Sequence, residues 1–452
     1  MSDSTRHFAG VPGVDFTVED VRGEFPGEIG IQPLSGPVDA EVRVPGSKSV
    51  TNRSLAVAAL AGGKSIIRNA LFSDDSYWLM NALSRLGFDV RADSMAGTVE
   101  ISGQGGEIPR RDVEVSVGNA GTVARFLPPV LALGEGPYLV DGVRRMRERP
   151  VSDLVDAMRE LGAGVEYAGE EGRFPLGVRG GGLPGGKATV RVGKSSQFLS
   201  GLLMAAPYAR SPVTLELSGE LVSRPYVGIT TGVMREFGVE VSEEPGRYRV
   251  DPAAYHGRDY YVEPDASAAS YFFAAAALTG GGITIPGLGK DCSQGDLRFV
   301  EVLEKMGCEV QLDSESTTVR GPEKLRGVDT DMNEISDTFI TLAAIAPFAS
   351  SPTTITGIAH TRHQETDRIS AVAAELRRLG VEVDEYEDSI RIIPTKRIDP
   401  ATIRTYEDHR IAMGFALVGL VEEGVSISGP ACVTKTFPDY FERLSALRGS
   451  PE

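Results

Sequence analysis

The sequence repeats a local pattern about every 70 to 75 residues, and this periodicity restricts the possible folds more than any other feature of the chain. Each unit has a polar or small-residue opening, an apolar helical run, a β-rich stretch, a second helical run and alternating strand residues. The second run ends in an apolar residue followed by glycine, which is typical of a helix C-terminus. These endings are Leu86-Gly87, Leu161-Gly162, Phe237-Gly238, Met306-Gly307 and Leu379-Gly380. We count about six units, in two sets of three.

The openings of the units share small polar residues that precede an apolar run, as helix N-caps do. They begin at Gly46-Ser-Lys-Ser, Gly118-Asn-Ala-Gly-Thr, Gly193-Lys-Ser-Ser-Gln, Asp265-Ala-Ser-Ala-Ala-Ser, Ile335-Ser-Asp-Thr and Glu407-Asp-His-Arg. A helix N-terminus offers free backbone N–H groups and a partial positive charge, which together favour an anion. If the units face inward, these anion sites converge on one cleft.

The length and the net charge of the chain restrict its domain organisation and its binding partners. The chain has 452 residues, which exceeds one ordinary core and indicates two lobes. Its 46 Lys and Arg against 63 Asp and Glu give a formal charge of -17, which disfavours binding to a nucleic-acid backbone or an anionic membrane.

The start of the chain and its cysteines do not indicate a further class of function. No apolar run approaches the roughly 20 residues that span a bilayer, and the start lacks a leader pattern, so we predict a cytoplasmic protein. Cys292, Cys308 and Cys432 are too scattered to predict a disulfide framework or a zinc site.

The segment from Pro45 to Arg53 predicts an anion site. A helix that begins near Ser47 would place Lys48 and Asn52 one turn apart, and Ser49 and Arg53 likewise. Arginine can grip a phosphate or carboxylate through two parallel bonds, and lysine acts as a point charge. The glycine spacing does not match a Walker A loop. A solvated basic helix start is the alternative interpretation.

A second basic cluster contains Arg144, Arg145, Arg147 and Arg149. Four arginines so close together cannot all face one way, so we expect one or two to reach a ligand and the others to pair with carboxylates. Arg145 and Arg149 are the better candidates because they lie one helical turn apart. A purely structural ion-pair cluster is the alternative.

The second half supplies candidate acid and base groups. In Arg362-His-Gln-Glu-Thr-Asp-Arg368, Glu365 lies three residues before Arg368 and Gln364 lies four before it. Asp337, Asp408 and His409 also lie in unit openings, and carboxylates in a dry site can have their pKa values driven apart. Motifs of zinc proteases, serine hydrolases and dinucleotide-binding proteins are missing from the sequence.

Eight motifs, taken in order, resemble the signature set of the 5-enolpyruvylshikimate-3-phosphate synthase family, from about residue 30 to the C-terminus. They are Pro45-Gly-Ser-Lys-Ser-Val-Thr-Asn-Arg53, Gly118-Asn-Ala-Gly-Thr122, Arg145-Met-Arg-Glu-Arg-Pro150, Ser195-Ser-Gln-Phe-Leu-Ser200, Gln294-Gly-Asp296, Glu365-Thr-Asp-Arg368, Asp408-His-Arg410 and Lys435-Thr-Phe-Pro-Asp-Tyr-Phe441.

The resemblance implies a two-domain inside-out α/β barrel, in which each domain holds three βαβαββ repeats and the active site lies in the interdomain cleft. It implies one domain over 46–264 and a discontinuous second domain over 29–45 plus 265–452. Residues 1–28 lack the periodicity and are predicted to be a flexible N-terminal extension.

The resemblance also implies a transferase reaction. The carboxyvinyl group of phosphoenolpyruvate would pass to the 5-hydroxyl of shikimate 3-phosphate and release phosphate, a step of the shikimate pathway toward chorismate and the aromatic amino acids. No metal and no organic cofactor are expected. The expected partners are these two substrates, with no nucleic acid and no membrane, and the protein is predicted to be a monomer.

Site residues carry over from the family motif by motif. The implied catalytic residues are Asp337 as the base for the attacking hydroxyl, Glu365 as the proton donor to the methylene carbon of phosphoenolpyruvate, and Lys48. The implied shikimate 3-phosphate contacts are Lys48, Ser49, Arg53, Ser195, Ser196, Gln197, Ser223, Asp337 and Gln364. The implied phosphoenolpyruvate contacts are Lys48, Asn119, Gly121, Arg149, Gln197, Arg368, Arg410 and Lys435.

Two positions depart from the family pattern. Gln364 stands where many members have lysine, and His360 replaces a common asparagine; both positions face the shikimate ligand in the family. These departures leave open a paralogue that acts on another phosphorylated cyclic alcohol, and a catalytically inactive binding protein is a further alternative. The related UDP-N-acetylglucosamine enolpyruvyl transferases use a reactive loop cysteine, and no cysteine precedes Cys292 here. Gly121 is the small residue linked with glyphosate sensitivity in the family.

Overall fold

The computed structural model describes residues 17, 19–20 and 23–448. Most of the predicted N-terminal extension, 1–28, therefore lies outside the described residues. Within its described part, Phe25 packs against a hydrophobic core, and Glu28 begins a strand that pairs with Ser428. No helix among the described residues is long and apolar enough to cross a bilayer.

Two strands precede the first helix, and three structural units follow. The two strands are β1 (Glu28–Gly30) and β2 (Asp39–Glu41). The first unit contains α1 (Lys48–Leu60), β3 (Gly62–Arg68), α2 (Asp74–Arg85), β4 (Asp89–Asp93) and β5 (Thr98–Gln104). The second contains β6 (Val113–Ser116), α3 (Gly121–Leu133), β7 (Tyr138–Asp141), α4 (Arg144–Glu148), α5 (Ser152–Glu160), β8 (Val165–Tyr167) and β9 (Leu176–Val178). The third contains β10 (Gly186–Arg191), α6 (Gln197–Ala205), β11 (Val213–Ser218), α7 (Pro225–Glu236), β12 (Ser242–Glu244) and β13 (Arg247–Val250), and β14 (Asp259–Tyr261) follows it.

Three further units complete the chain. The fourth contains α8 (Ala266–Thr279), β15 (Gly282–Pro286), α9 (Phe299–Lys305), β16 (Glu309–Leu312) and β17 (Ser316–Arg320). The fifth contains β18 (Asp329–Asp331), α10 (Phe339–Ile345), β19 (Thr353–Thr356), α11 (Arg368–Arg378), β20 (Val383–Glu385) and β21 (Ile390–Ile392). The sixth contains β22 (Ala401–Arg404), α12 (His409–Ala416), β23 (Val425–Ser428) and α13 (Tyr440–Ala446).

Each unit contributes most of the strands of one small sheet. In the second unit β6 runs parallel to β7, and β9 is antiparallel to both β7 and β8. The described residues form five four-stranded sheets of this topology and one three-stranded sheet, with no closed barrel. The predicted α/β fold class is confirmed, although its strands form separate sheets.

The first helix of each unit is buried on nearly all sides, which explains an inside-out architecture. Almost every residue of α1, α3 and α8 is buried, and these helices are rich in Ala, Val and Leu. A helix that is apolar all round needs protein on every side. The strands instead alternate buried and exposed residues, as in β10, so the sheets cover the helices on the outside.

The chain passes twice between two hydrophobic cores. One core contains buried residues between Val50 and Val262, and the other contains Ile31 to Val44 together with Ala266 to Leu444. The sheets exchange strands across these passages: β2 runs parallel to β15, and β14 runs parallel to β3. The two passages lie side by side, since Ser47 N donates to Glu263 O at 2.9 Å.

Candidate functional site

The N-termini of several buried helices converge on a cleft between the two cores. Lys48 begins α1 behind the N-cap Ser47, whose side chain accepts a bond from Val50 N. Gly121 begins α3, and Gln197 begins α6. A strand ends a few residues before each of these helices, as β6 does before α3, so the polar openings of α1, α3 and α6 become helix N-termini at the cleft.

Most of the sequence-predicted residues line this cleft. They are Lys48, Ser49, Gly121, Arg149, Ser195, Ser196, Gln197, Ser223, Asp337, Gln364, Glu365, Arg368 and Arg410. Ser223 has a φ of 51°, a left-handed conformation that a serine rarely adopts. The conformation places its hydroxyl 3.3 Å from the Ser336 hydroxyl of the opposite core.

Three predicted residues lie just behind the lining. Arg53 is fully buried, and its guanidinium donates to Thr230 Oγ1 at 2.7 Å and to Ser49 O at 2.9 Å. Lys435 Nζ donates to Asn119 O at 2.8 Å, which joins the two cores. In the structure Arg53 therefore supports the wall of the cleft.

The second core supplies two carboxylates that are embedded among cations. Asp337 lies 2.6 Å from Arg410 Nη2 and 3.2 Å from Arg368 Nη1. Glu365 lies 3.1 Å from Lys435 Nζ and 3.0 Å from Arg368 Nη2. Arg368 is itself fixed by Asp408, the N-cap of α12, at 2.7 Å. One buried arginine thus connects both candidate proton-transfer groups.

These charges determine the protonation of the two carboxylates. Burial works to raise the pKa of Asp337, but Arg410, Arg368 and Lys48 outweigh burial and hold its pKa low. Burial likewise opposes the charge on Glu365, whose pKa is nevertheless held well below its usual range by Lys435 and other cations. Both groups are therefore ionised near neutral pH.

Tyr226 links Asp337 to a further buried carboxyl group. Its hydroxyl lies 2.8 Å from Asp337 Oδ2 and 2.9 Å from Asp296 Oδ2. Burial and the charge of Asp337 raise the pKa of Asp296. The motif Gln294-Gly-Asp296 contained this residue, but its role depends on a tyrosine from the other core, which spacing in the sequence does not reveal.

Two lining residues were missed by the sequence analysis. Asp75 is 2% exposed and lies 3.8 Å from Lys48 Nζ and 3.7 Å from Lys435 Nζ. Asp75 sits at the start of the second helix of its unit, whereas the unit openings that predicted anion sites lie at first helices. Arg125 is buried one turn into α3, and its Nη1 donates to Gly121 O at 3.3 Å. Burial lowers the pKa of Arg125 well below its usual value.

The four arginines of the cluster differ in position and in partners. Arg149 lines the cleft, and its buried Nε and Nη1 have no hydrogen-bond partner among the described residues. A buried guanidinium group without hydrogen-bond partners destabilises the folded protein. We therefore expect Arg149 to bind an anion. Arg147 pairs with Asp141, and Arg144 pairs with Glu148. Arg145, expected to reach a ligand, does not line the cleft and instead donates to backbone oxygens of the other core.

Comparison with known proteins agrees with this geometry. Residues 33–444 match the family model described as EPSP synthase (3-phosphoshikimate 1-carboxyvinyltransferase). The chain belongs to the EPSP synthase family. The resemblance inferred from the motifs is confirmed.

Similar proteins and solved structures align with nearly the whole chain. A 3-phosphoshikimate 1-carboxyvinyltransferase of Nostoc punctiforme is 49% identical over 418 residues, which is 92% of this chain and 98% of that protein. The EPSP synthase structure from Acinetobacter baumannii superposes with a TM-score of 0.79 at 25% identity, covering 93% of this chain and 98% of the other. An enolpyruvyl transferase from Streptomyces tendae shares the fold, with a TM-score of 0.74 at 19% identity, covering 93% of this chain and 98% of the other.

Proposed function

We propose that this protein transfers the carboxyvinyl group of phosphoenolpyruvate to the 5-hydroxyl of shikimate 3-phosphate, as an enzyme of the shikimate pathway. The observation that carries the proposal is a cleft in which two carboxylates, Asp337 and Glu365, pair with buried cations of their own core. Lys48 and Arg149 of the other core line the same cleft. Two anionic substrates suit such a cleft because the cations offset their negative charges and fix their orientation.

The proposed reaction is an addition followed by an elimination. Asp337 accepts the proton of the 5-hydroxyl while that oxygen bonds to C2 of phosphoenolpyruvate, and Glu365 delivers a proton to C3. The C2–O bond to phosphate then breaks, and Glu365 takes a proton back from C3, which restores the double bond. The proton that Asp337 accepted leaves with the phosphate. The products are the enolpyruvyl ether and inorganic phosphate, so atoms and charges balance.

Substrate binding would adjust both carboxylates for these roles. Arg368, Arg410 and Lys435 are the cations that hold the pKa values of Asp337 and Glu365 low. A phosphate or carboxylate that engages these cations offsets their charge and thereby raises both pKa values. Asp337 becomes a stronger base, and Glu365 can take up the proton that it later donates.

We propose two binding regions in the cleft. We assign phosphoenolpyruvate to the region of Arg149, Gly121, Arg368, Arg410 and Lys435. Shikimate 3-phosphate would lie toward the serines of the α6 opening, Ser223 and Asp337, with Lys48 and Gln197 between the two substrates. The two cores would then be the domains 46–264 and 29–45 plus 265–452 of a cytoplasmic monomer.

The direct test is release of phosphate from phosphoenolpyruvate with and without shikimate 3-phosphate, in the parent, Lys48→Ala and Glu365→Gln. Loss of a positioned cation or proton donor should lower kcat about 100-fold or more. Lys64→Ala is the matched control because Lys64 is exposed and pairs with Glu100 on a sheet surface. The site assignment fails if both cleft variants match the parent.

A paralogous enolpyruvyl transferase is the second candidate, favoured by Gln364 and His360. Gln364 Oε1 accepts a bond from Arg368, so a neutral amide stands where many family members have a cation. Replacing shikimate 3-phosphate by other phosphorylated cyclic alcohols in the same assay separates the candidates. Turnover of one of those alcohols, with none of shikimate 3-phosphate, would favour the paralogue.

Glyphosate should inhibit the proposed reaction, and Gly121 should control the inhibition. A Cβ atom at this position would lie 3.1 Å from both terminal nitrogens of Arg149. Gly121→Ala therefore displaces the guanidinium and should raise both the KM for phosphoenolpyruvate and the glyphosate concentration that halves activity. The measurement is an inhibition curve at fixed substrate, and equal curves for parent and variant would contradict the assignment.

A further inference from the structure

Arg145 connects the two cores through hydrogen bonds to backbone oxygens. Its side chain extends from α4, and Nε donates to the backbone oxygen of Glu365 at 3.0 Å. Nη2 donates to the backbone oxygen of Gln364 at 3.1 Å. The forked guanidinium therefore engages two consecutive carbonyl groups of the opposite core, a geometry that lysine cannot reproduce because its ammonium lacks the fork.

The neighbouring arginines make this placement specific. Arg144 has a side chain that is 95% exposed and pairs with Glu148 on the same helix. Arg147 pairs with Asp141, six residues earlier in the chain. Arg145 also contacts Glu148 at 3.0 Å, but half-exposed ion pairs within one helix contribute little. Its distinguishing contacts are the two carbonyl groups across the cleft.

The segment that Arg145 holds carries the proposed proton donor. Gln364 and Glu365 follow a short 3-10 helix, Ala359–His363, and precede α11. The Glu365 carboxylate contacts Lys435 and Arg368, while its backbone oxygen accepts the bond from Arg145. Contacts thus hold both the side chain and the backbone of Glu365.

Arg145 also couples this segment to the opposite wall of the cleft. The helix α4 ends at Glu148, and the next residue is Arg149, which lines the cleft. Movement of the Gln364–Glu365 segment relative to α4 would change the distance between the Glu365 carboxylate and the Arg149 guanidinium. A displacement of about 1 Å is enough to reduce catalysis strongly.

We propose that Arg145 is a positioning residue that fastens the Gln364–Glu365 segment to the opposite core and so places the Glu365 carboxylate for proton transfer. The inference rests on the proposed function for its kinetic effect, although the fastening itself can be measured without turnover. Arg145 acts through backbone oxygens and touches neither proposed substrate.

The test compares Arg145→Gln, Arg145→Lys and the matched control Arg144→Gln. Arg145→Gln should lower kcat about 10-fold to 100-fold, which corresponds to about 1.4 to 2.7 kcal/mol, while leaving the KM for shikimate 3-phosphate within about twofold. Arg145→Lys should recover part of the loss because lysine can reach one carbonyl group. Arg144→Gln should match the parent.

Amide hydrogen exchange over residues 359–367, measured without substrates, provides the second readout. Exchange should be faster in Arg145→Gln than in Arg144→Gln, because the segment loses its contact with the other core. Equal exchange in these two variants overturns the proposal, and so does a kcat of Arg145→Gln within about twofold of an active parent. An inactive parent would contradict the proposed function, and the exchange comparison would then decide the role of Arg145 by itself.

Discussion

His360 lies in the cleft wall and bridges the two cores through hydroxyl groups. Its Nε2 is 2.8 Å from Ser336 Oγ of its own core and 3.3 Å from Ser223 Oγ of the other. Burial lowers the pKa of His360 to about 4, so the ring is neutral near neutral pH. A neutral imidazole and an asparagine amide can each donate and accept a hydrogen bond, so an asparagine at this position could also bond to these hydroxyl groups.

This burial makes the stability of the fold depend on His360 below neutral pH. In the unfolded chain the residue titrates near the ordinary histidine pKa of 6.5, whereas the folded state holds the pKa at about 4. As the pH falls below 6.5, His360 binds a proton in the unfolded state but not in the folded state. The free energy of unfolding therefore decreases. Between about pH 7.5 and about pH 5 this contribution reaches about 2 kcal/mol.

His360→Asn should remove that contribution. The free energy of unfolding, measured in urea at both pH values, should fall by about 2 kcal/mol less in the variant than in the parent. Other titrating groups affect both proteins alike and cancel in the difference. An equal decrease in the two proteins would show that the histidine titrates normally in the folded state.

At the scale of elements, the sequence predicted helix ends better than strand partners. The glycines expected after second helices follow α2, α5, α7, α9 and α11, and all adopt positive φ, from 78° at Gly380 to 107° at Gly307. This agreement is possible because a left-handed C-terminal residue is a local requirement. The pairing of β2 with β15 and of β14 with β3 joins distant segments, and local patterns do not specify such partners.

Two glycines within helices should respond oppositely to the same substitution. Gly228 lies in α7, and no atom lies within 4 Å of the position that a Cβ atom would take there, so alanine fits without contact. Gly228→Ala should raise the free energy of unfolding by about 0.5 to 1 kcal/mol, because alanine loses less backbone entropy in a helix.

Gly201→Ala provides the comparison within α6. There the Cβ atom would lie 2.2 Å from the backbone oxygen of Arg125 in α3, so the two buried helices must separate. Destabilisation by about 1 to 3 kcal/mol is expected from such overpacking. Urea denaturation of both variants checks the pair, and a stabilised Gly201→Ala protein would disprove the close approach of the two helices.

At the scale of the whole molecule, two adjacent passages hold the cores together and begin two helices. Asp265 N donates to Pro45 O at 2.8 Å, and the Asp265 side chain accepts bonds from Lys48 N and from Ala268 N. Lys48, a residue of the proposed site, is therefore held by its backbone N–H where the two passages meet. The motifs predicted the site residues on each side, but Asp75 between Lys48 and Lys435 appears only when the two cores meet, because its partners are far apart in sequence.

A cleft shared between two cores should couple its ligands energetically. Shikimate 3-phosphate is expected to contact both cores, through Ser196 on one side and Asp337 on the other. Its binding would hold the cores together and so reduce the ordering cost for a second ligand between Arg149 and Arg410. Glyphosate is a suitable second ligand because, unlike phosphoenolpyruvate, it is not expected to be turned over.

Thermal unfolding should reveal this coupling. Shikimate 3-phosphate and glyphosate together should stabilise the protein by about 1 to 3 kcal/mol more than the sum of their separate effects at the same concentrations. In Arg145→Gln the excess should shrink, because the two cores lose one of their fastenings, whereas Arg144→Gln should retain it. Strictly additive stabilisation in the parent would mean that each ligand binds to one core alone, which contradicts a site assembled from both.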